Sequence, residues 1–256
     1  MLRHFGVKRT YVHNLKLAVL LSLTAGFVNA AGFLGFSALT TNVTGHAALF
    51  AEGIARQDWL MAKLVATWMT LFLAGAFTSS LIVNKIGHNA RFSFAIPIIL
   101  ETMILLFCAF SPAIKFWGFS GNFFAGSLLF AMGMQNALVS VISGSVVRTT
   151  HLTGTFTDLG IELAQIRIDK QVFQDELIAR IKLRVSIIFF FMLGALSGAY
   201  LFTYISFWSF LLPASMLSFA LLYDVFRLNI KRYYSNFRYH KSDTHTIISD
   251  KKNEIV

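Results

Sequence analysis

The chain has 256 residues, of which 56% are hydrophobic and 13% are charged, and its formal net charge is +10. Soluble domains contain about 45–50% apolar and about 25% charged residues. A chain of this length cannot bury so much apolar surface in a water-soluble globule. The composition therefore excludes an ordinary soluble domain and predicts a protein whose main solvent is lipid.

Six apolar segments are long enough to cross a membrane, because a helix needs about 20 residues to span about 30 Å of hydrocarbon. Basic residues precede the first segment and follow the last one. By the positive-inside rule, both chain termini are predicted to be cytoplasmic. The expected fold is an all-α, polytopic membrane helix bundle. Its predicted spans are 15–37, 60–83, 92–111, 121–143, 183–204 and 207–226.

A short polar phrase occurs twice between these segments, as TTNVTG at 40–45 and as TTHLTG at 149–154. Other landmarks recur in the same order, with offsets of 107 to 119 residues: GFVNA at 26–30 with GMQNA at 133–137, Gly75-Ala76 with Gly194-Ala195, and Pro97 with Pro213. Weak internal symmetry of this kind is typical of transporter folds. The sequence therefore predicts a tandem duplication. The expected parts are a basic cytoplasmic N-terminus at 1–14, membrane repeats at 15–111 and 112–227, and a basic cytoplasmic tail at 228–256.

The topology depends on whether the two Thr-Gly phrases cross the membrane. If they do not cross, each repeat has three spans and the second repeat is inverted; if they do, each has four and the halves are parallel. Six spans place Lys85, Arg91 and Arg148 in the cytoplasm, whereas eight spans place them outside. The positive-inside rule therefore favours two inverted three-span repeats.

Each Thr-Gly phrase is predicted to be an uncoiled entry followed by a short half-helix, since Thr and Asn are good helix N-caps. Two half-helices, one per repeat, would direct two positive dipole ends toward the centre of the protein. An anionic or polar solute could bind there. The alternative is that these residues only cap or bridge helices. The candidate solute ligands are Asn29, Thr41, Asn42, Thr44, Gly45, Asn136, Thr150, His151, Thr153 and Gly154.

The segments GFVNAAGFLGFSALTTNVTGH at 26–46 and GMQNALVSVISGSVVRTTHLTGTFTDLG at 133–160 resemble the YoaK-like family. The resemblance covers most of residues 14–227. It implies a bacterial, multi-pass inner (plasma) membrane protein with six spans, and it leaves the activity open. In that family an acidic residue usually stands at the position of Asn29, and Asn at the position of His46.

Glu101 is a candidate for proton or ion coupling, since ionisable residues inside a membrane are costly and are functional candidates by default. It lies about ten residues past Arg91, hence about 15 Å into the third span. A carboxyl group near the bilayer centre could bind and release a proton during transport. The alternative is a packing residue that is hydrogen-bonded to Asn29 or Asn136.

Asp158 is the second coupling candidate, because it lies close to the second Thr-Gly phrase. It shares a helix face with Glu162, four residues later. The two carboxylates could coordinate a cation or pair with Arg167 and Lys170.

No phosphate-binding glycine loop, His-Glu-x-x-His motif or nucleophile elbow occurs in the sequence, so no catalytic residue, cofactor or enzyme activity is predicted. His46 and His151 are not at equivalent repeat positions, so no metal site is predicted. The leading hypothesis is a small secondary transporter or permease for a small polar or anionic solute. The alternative is a membrane scaffold or partner-binding protein. The expected partners are the lipid bilayer and a small solute, with a homodimer left open and no nucleic acid.

Overall fold

The structure, a computed structural model, describes residues 11–87, 94–111, 120–168 and 174–223. Of these residues 89% are helical and none is in a strand, which confirms the all-α class. The helices are α1 (Tyr11–Phe36), α2 (Val43–Ala55), α3 (Trp59–Ile86), α4 (Ala95–Ala109), α5 (Gly121–Ser143), α6 (Leu152–Ile168), α7 (Gln174–Ile205), a 3-10 segment (Ser206–Phe210) and α8 (211–223).

The contacts described below all lie within the first of two compact units, Met1–Ser218. In the second unit, Phe219–Val256, the described residues 219–223 are helical. The predicted tail at 228–256 and most of the predicted N-terminal segment at 1–14 lie outside the described residues.

Four helical stretches are long and apolar enough to span a membrane, namely α1, α3, α5 and Asp175–Tyr223. The length and composition of these helices indicate a membrane protein. The last stretch contains the fifth predicted span, 183–204, and the sixth, 207–226, as far as residue 223, where the described residues end. Ser206, with a φ of 50°, interrupts the α-helix between them. The third predicted span falls on α4, an apolar helix of 15 residues. Six crossings remain a prediction.

Two glycines bring the backbones of α1 and α7 together. A Cβ on Gly26 would overlap the carbonyl oxygen of Phe191, and a Cβ on Gly194 would overlap that of Leu23. Small residues permit this close approach of membrane helices. Further along both helices, Gly198 meets Phe27 and Gly35 meets Phe202. From Leu23 with Gly194 onward these contacts advance together, so α1 and α7 are parallel.

The pair α3 and α5 repeats this interface with the other two glycine landmarks. A Cβ on Gly133 would overlap the carbonyl oxygen of Phe72, and a Cβ on Gly75 would overlap that of Phe130. Gly133 follows Gly26 by 107 residues, as Phe130 follows Leu23, and Gly194 follows Gly75 by 119 residues. Helices α1 and α3 of the first predicted repeat thus pack against α7 and α5 of the second, in two matching interfaces.

Helices α1 and α5 carry corresponding landmarks but run in opposite directions. Their contacts pair the end of α1 with the start of α5, and the middle of α1 with the second half of α5. The pairs are Phe36 with Phe124, Gly32 with Leu128, and Leu21 with Gln135. Helix α3 runs parallel to α5, since Trp68 donates to the carbonyl oxygen of Asn122 at the start of α5 and Phe72, further along α3, meets Gly133 further along α5. Because α1 is likewise parallel to α7, α3 and α7 are also opposed.

An aromatic cluster closes the end of the bundle where α1 ends. The ring of Phe36 lies 5.6 Å from that of Phe124, 5.2 Å from that of Phe207 and 6.3 Å from that of Phe210. Phe124 and Phe210 are fully buried. The start of α5 and the 3-10 segment therefore share one level of the bundle with the end of α1.

Candidate functional site

The first Thr-Gly phrase folds back along α1 after that helix ends at Phe36. The Thr40 hydroxyl donates to the carbonyl oxygen of Val28 at 3.3 Å. The backbone N–H and the hydroxyl of Thr41 both donate to Asn29 Oδ1, at 3.2 Å and 2.9 Å. Asn29 lies seven residues before Phe36, so the chain returns about 10 Å into the bundle before α2 begins.

Helix α2 begins where this return ends. Asn42 is its N-cap, and the side-chain oxygen accepts from the backbone N–H of Gly45 at 2.9 Å. Such a cap satisfies one of the free donors of the first helical turn. Asn42 and Thr44 are exposed, and Gly45 is half-buried.

Helix α2 then runs antiparallel to α3. The ring of His46 lies edge-on to Trp68, with ring centroids 5.6 Å apart, and Gly53 further along α2 touches the backbone of Ala62. His46 Nδ1 lies 2.6 Å from the carbonyl oxygen of Asn42, so Nδ1 carries the proton. His46 Nε2 is buried and has no partner within the described residues.

The second phrase makes the same kind of return along α5. Thr149 is fully buried, and Gln135 Nε2 lies 3.5 Å from its hydroxyl while donating to the carbonyl oxygen of Leu21 at 2.9 Å. Gln135 lies eight residues before Ser143, the last residue of α5, so this return is about 12 Å. The amide of Gln135 thus links α1, α5 and the second phrase.

His151 directly precedes α6, at the position that Asn42 occupies before α2. Its ring lies against the backbone of Gly154, as the Asn42 amide lies against Gly45. The carbonyl oxygen of His151 accepts from both the backbone N–H and the hydroxyl of Thr155 at 3.0 Å. These two bonds anchor the first turn of α6 to His151.

Ion pairs hold α6 against α7. Arg184 lies 2.9 Å from Asp158 and 2.8 Å from Glu162, and Arg180 lies 3.4 Å from Glu162. These partners differ from the predicted pairing with Arg167 and Lys170, because α6 and α7 are antiparallel and bring the first turns of α7 beside the carboxylates. Lys170 lies outside the described residues.

A cavity of about 400 Å³ lies beside these ion pairs. It is bounded by the connection between α5 and α6, the first two turns of α6 and one side of α7. Its ionisable and hydroxyl-bearing lining residues are Ser145, Arg148, His151, Thr155, Asp158, Arg180 and Arg184. The cavity therefore has a polar, arginine-rich wall.

Glu101 is fully buried, and neither of its carboxyl oxygens has a hydrogen-bond partner within the described residues. The alternative that it bonds to Asn29 or Asn136 is therefore wrong; the Asn29 oxygen accepts from Thr41 instead. Phe107, six residues later on α4, stacks on Phe124, the fourth residue of α5. Glu101 thus lies roughly 14 Å along the bundle from the start of α5, near mid-bundle.

A comparison with protein families matches residues 17–223 to the family described as "Protein of unknown function (DUF1275)". The chain belongs to this family. The match agrees with the predicted resemblance to an uncharacterised family, and it includes both Thr-Gly phrases and the cavity. No curated protein and no solved structure matches the chain.

The candidate residues of this DUF1275 chain fall into separate places. Asn29 and Thr41 bind each other, whereas Asn136, at the position equivalent to Asn29, is half-buried and makes no side-chain hydrogen bond within the described residues. Thr150 is half-buried and Thr153 is exposed.

The structure brings three predicted residues, His151, Gly154 and Asp158, to the cavity wall. Glu101 does not line this cavity. Sequence reasoning did not assign the cavity's arginines to a site, because basic residues near the end of a span are read as the cytoplasmic flank.

Proposed function

We propose that this protein is a small secondary transporter of the bacterial inner membrane, for a small polar or anionic solute. The observation that supports this most is the return of both Thr-Gly phrases into the bundle before each begins a short helix. Thr41 is bound there by Asn29 of α1, and Thr149 is contacted by Gln135 of α5. Non-helical backbone at membrane depth is tolerated only where protein buries it or where it lines a cavity.

The lengths of α2 and α6 favour half-helices. With 13 and 17 residues, they extend for about 20 and 26 Å, less than the roughly 30 Å of a hydrocarbon core. Each begins where its phrase has returned into the bundle and then runs antiparallel to the helix that follows it. Its N-terminus, the positive end of the helix dipole, therefore faces into the bundle. Each repeat would then have three spans.

The opposed directions of α1 and α5, and of α3 and α7, are those that inverted repeats require. The matched interfaces at Gly26 and Gly133 support the duplication. With a cytoplasmic N-terminus, α1 ends on the outside, and the cavity beside Arg184 opens toward the cytoplasm. Rocking of one repeat against the other would alternate access.

The proposal makes the protein a transporter rather than an enzyme or a scaffold. A scaffold function would depend on the basic tail at 228–256, which lies outside the described residues, and on the amphipathic segment 168–182, of which residues 174–182 belong to α7. A homodimer is compatible with either function.

Cysteine labelling tests the proposed topology. In a Cys108→Ser background, Gln57→Cys lies between α2 and α3, and Asn84→Cys lies near the end of α3; both positions are exposed. In intact cells we expect an impermeant thiol reagent to label position 57, and to label position 84 only after permeabilisation. The reverse pattern would mean eight spans and would contradict the inverted repeats.

Glu101→Gln tests proton coupling in proteoliposomes. The amide keeps the size of the buried side chain but cannot release a proton, so we expect uptake driven by an imposed pH gradient to be lost while solute counterflow continues. The probes are radiolabelled inorganic phosphate and a panel of small carboxylates. Glu52→Gln is the control, since Glu52 forms an exposed pair with Arg56, the residue that follows α2, and such pairs contribute little.

The two parts of this test fail separately. Absence of saturable uptake for every probe would contradict the transporter. Uptake by the Glu101→Gln protein at the level of the Glu52→Gln control would contradict the coupling role and leave the transporter standing.

A further inference from the structure

We propose that the cavity between α6 and α7 is a binding site for an oxyanion, a phosphate or a carboxylate group, reached from the cytoplasmic side. The assignment of that side, and of a role in transport, rests on the proposed function. The site itself rests on the charges and geometry of the cavity wall.

The charge balance at the cavity favours an anion. Three arginines line it, Arg148, Arg180 and Arg184, together with one acidic residue, Asp158. Glu162 does not line the cavity but binds two of these arginines. The positive charges of three arginines are therefore balanced by the negative charges of two carboxylates, which leaves one positive charge in excess, without counting the imidazole of His151.

Arg148 is the cation that remains unmatched. It is exposed and forms no ion pair within the described residues. It lies in the connection that leads to the second Thr-Gly phrase, directly before Thr149, which is fully buried. The anchored phrase thus fixes the backbone from which Arg148 reaches the cavity.

The paired arginines are oriented and still have free donors. Arg184 uses Nη1 for Asp158 and Nε for Glu162, and Arg180 uses Nε for Glu162. A guanidinium group has five N–H donors in a fixed plane, so each arginine has N–H groups left for a ligand. Arginines held in this way suit the planar, bidentate recognition of phosphate or carboxylate.

The start of α6 adds neutral donors to the same wall. His151, directly before the helix, and Gly154, in its first turn, both line the cavity. Backbone N–H groups and the helix dipole at such an end favour a negative ligand. The connection also contributes the hydroxyl of Ser145. These groups supplement the arginines.

The first repeat does not provide an equivalent site. With the offset of 119 residues that relates α3 to α7, Arg180 and Arg184 correspond to Met61 and Val65. Val65 is buried, and Gly53 of α2 touches the backbone of Ala62 there. This part of the interface between α2 and α3 is apolar and tightly packed, so among the described residues the anion site belongs to one side of the protein.

The test measures thermal unfolding of the full-length protein in an uncharged detergent. Inorganic phosphate should raise the unfolding temperature saturably, above the effect of sodium chloride at equal ionic strength. Arg148→Gln should weaken phosphate binding about tenfold, the effect of one lost charge-assisted hydrogen bond. It should leave the unfolding temperature without phosphate unchanged, because Arg148 forms no ion pair with any residue that the structure describes. Arg56→Gln, which removes an exposed arginine at the C-cap of α2, should bind phosphate like the wild type.

A second arm separates a free anion from a lipid headgroup. The same unfolding is measured with phosphatidylglycerol and with phosphatidylcholine added to the detergent. Stabilisation by phosphatidylglycerol alone, lost in Arg148→Gln, would support an oxyanion site that is filled by a lipid phosphate. Stabilisation no greater than that by chloride in both arms, or stabilisation that Arg148→Gln leaves unchanged, would overturn the site.

This outcome is independent of the uptake experiment. Anion binding without uptake would leave the site standing and contradict the transporter. Uptake without binding that depends on Arg148 would leave the transporter standing and contradict the site.

Discussion

Gly75→Ala is expected to lower the unfolding temperature of the purified protein by roughly 6–12 °C, the equivalent of about 3 kcal/mol of overpacking in a chain of this size. The new Cβ would overlap the carbonyl oxygen of Phe130 on α5. A backbone carbonyl within a helix cannot turn aside as a side chain can. The two helices must therefore move apart, and the packing along α3 and α5 is lost with them.

Gly160→Ala is the matched control for this substitution. Gly160 is also a helical glycine, in α6, but a Cβ there would have no atom within 4 Å. Alanine is better than glycine in a helix by roughly 0.5–1 kcal/mol, so the unfolding temperature should stay the same or rise slightly. A fall of less than about 2 °C for Gly75→Ala, an effect below one kcal/mol, would contradict the predicted packing.

The second half of the molecule supplies a further check. A Cβ on Gly194 would overlap the carbonyl oxygen of Leu23 on α1, as the one on Gly75 would overlap that of Phe130. If the two interfaces are equivalent, Gly194→Ala should cost as much as Gly75→Ala, within about 1 kcal/mol. A large effect at only one of the two glycines would mean that the halves contribute unequally to stability.

The sequence identified these glycines as landmarks but could not tell which helices they join. Small residues signal that a close approach is possible, and the partner depends on how the halves assemble. Gly26 and Gly75 lie in the same predicted repeat, yet each meets a helix of the other one. The residues around either glycine do not indicate that its partner helix belongs to the other repeat.

The helix ends show where pattern reasoning works and where it fails. The fourth predicted span, 121–143, has the bounds of α5. α7 begins at Gln174, nine residues before the predicted fifth span, because charged residues end a hydropathy signal without ending a helix. Asp175 and Glu176 in its first turn are favourable there. Pro97 lies in the first turn of α4, where its missing N–H costs little.

The sequence predicted the acidic residues at the cavity but not their arginine partners. Asp158 and Glu162 were recognised as one helix face, and their partners were sought nearby in sequence. The partners Arg180 and Arg184 are also four residues apart, on the next helix. An acidic pair at this spacing, followed across a short connection by a basic pair at the same spacing, is a signal that antiparallel helices can align.

Arg184→Gln is expected to destabilise the protein by about 3 kcal/mol, chiefly through Glu162. Glu162 is 8% exposed, so its charge cannot be solvated when its closer partner is removed, and only Arg180 at 3.4 Å remains. Removing one partner of a buried pair costs about 3–5 kcal/mol; partial exposure of Arg184 places this case at the low end. Asp158 is 46% exposed, so Asp158→Asn should cost less than about 1 kcal/mol.

A double-mutant cycle separates the pair from other effects of the two substitutions. Glu162→Gln removes the charge that Arg184 compensates, so the protein with both Arg184→Gln and Glu162→Gln should be more stable than the sum of the single losses implies, by about 1–3 kcal/mol. The measurement is the unfolding temperature of the four proteins in one detergent. Additive losses, or an Asp158→Asn loss as large as that of Arg184→Gln, would show that Glu162 is not the buried charge that holds α6 on α7.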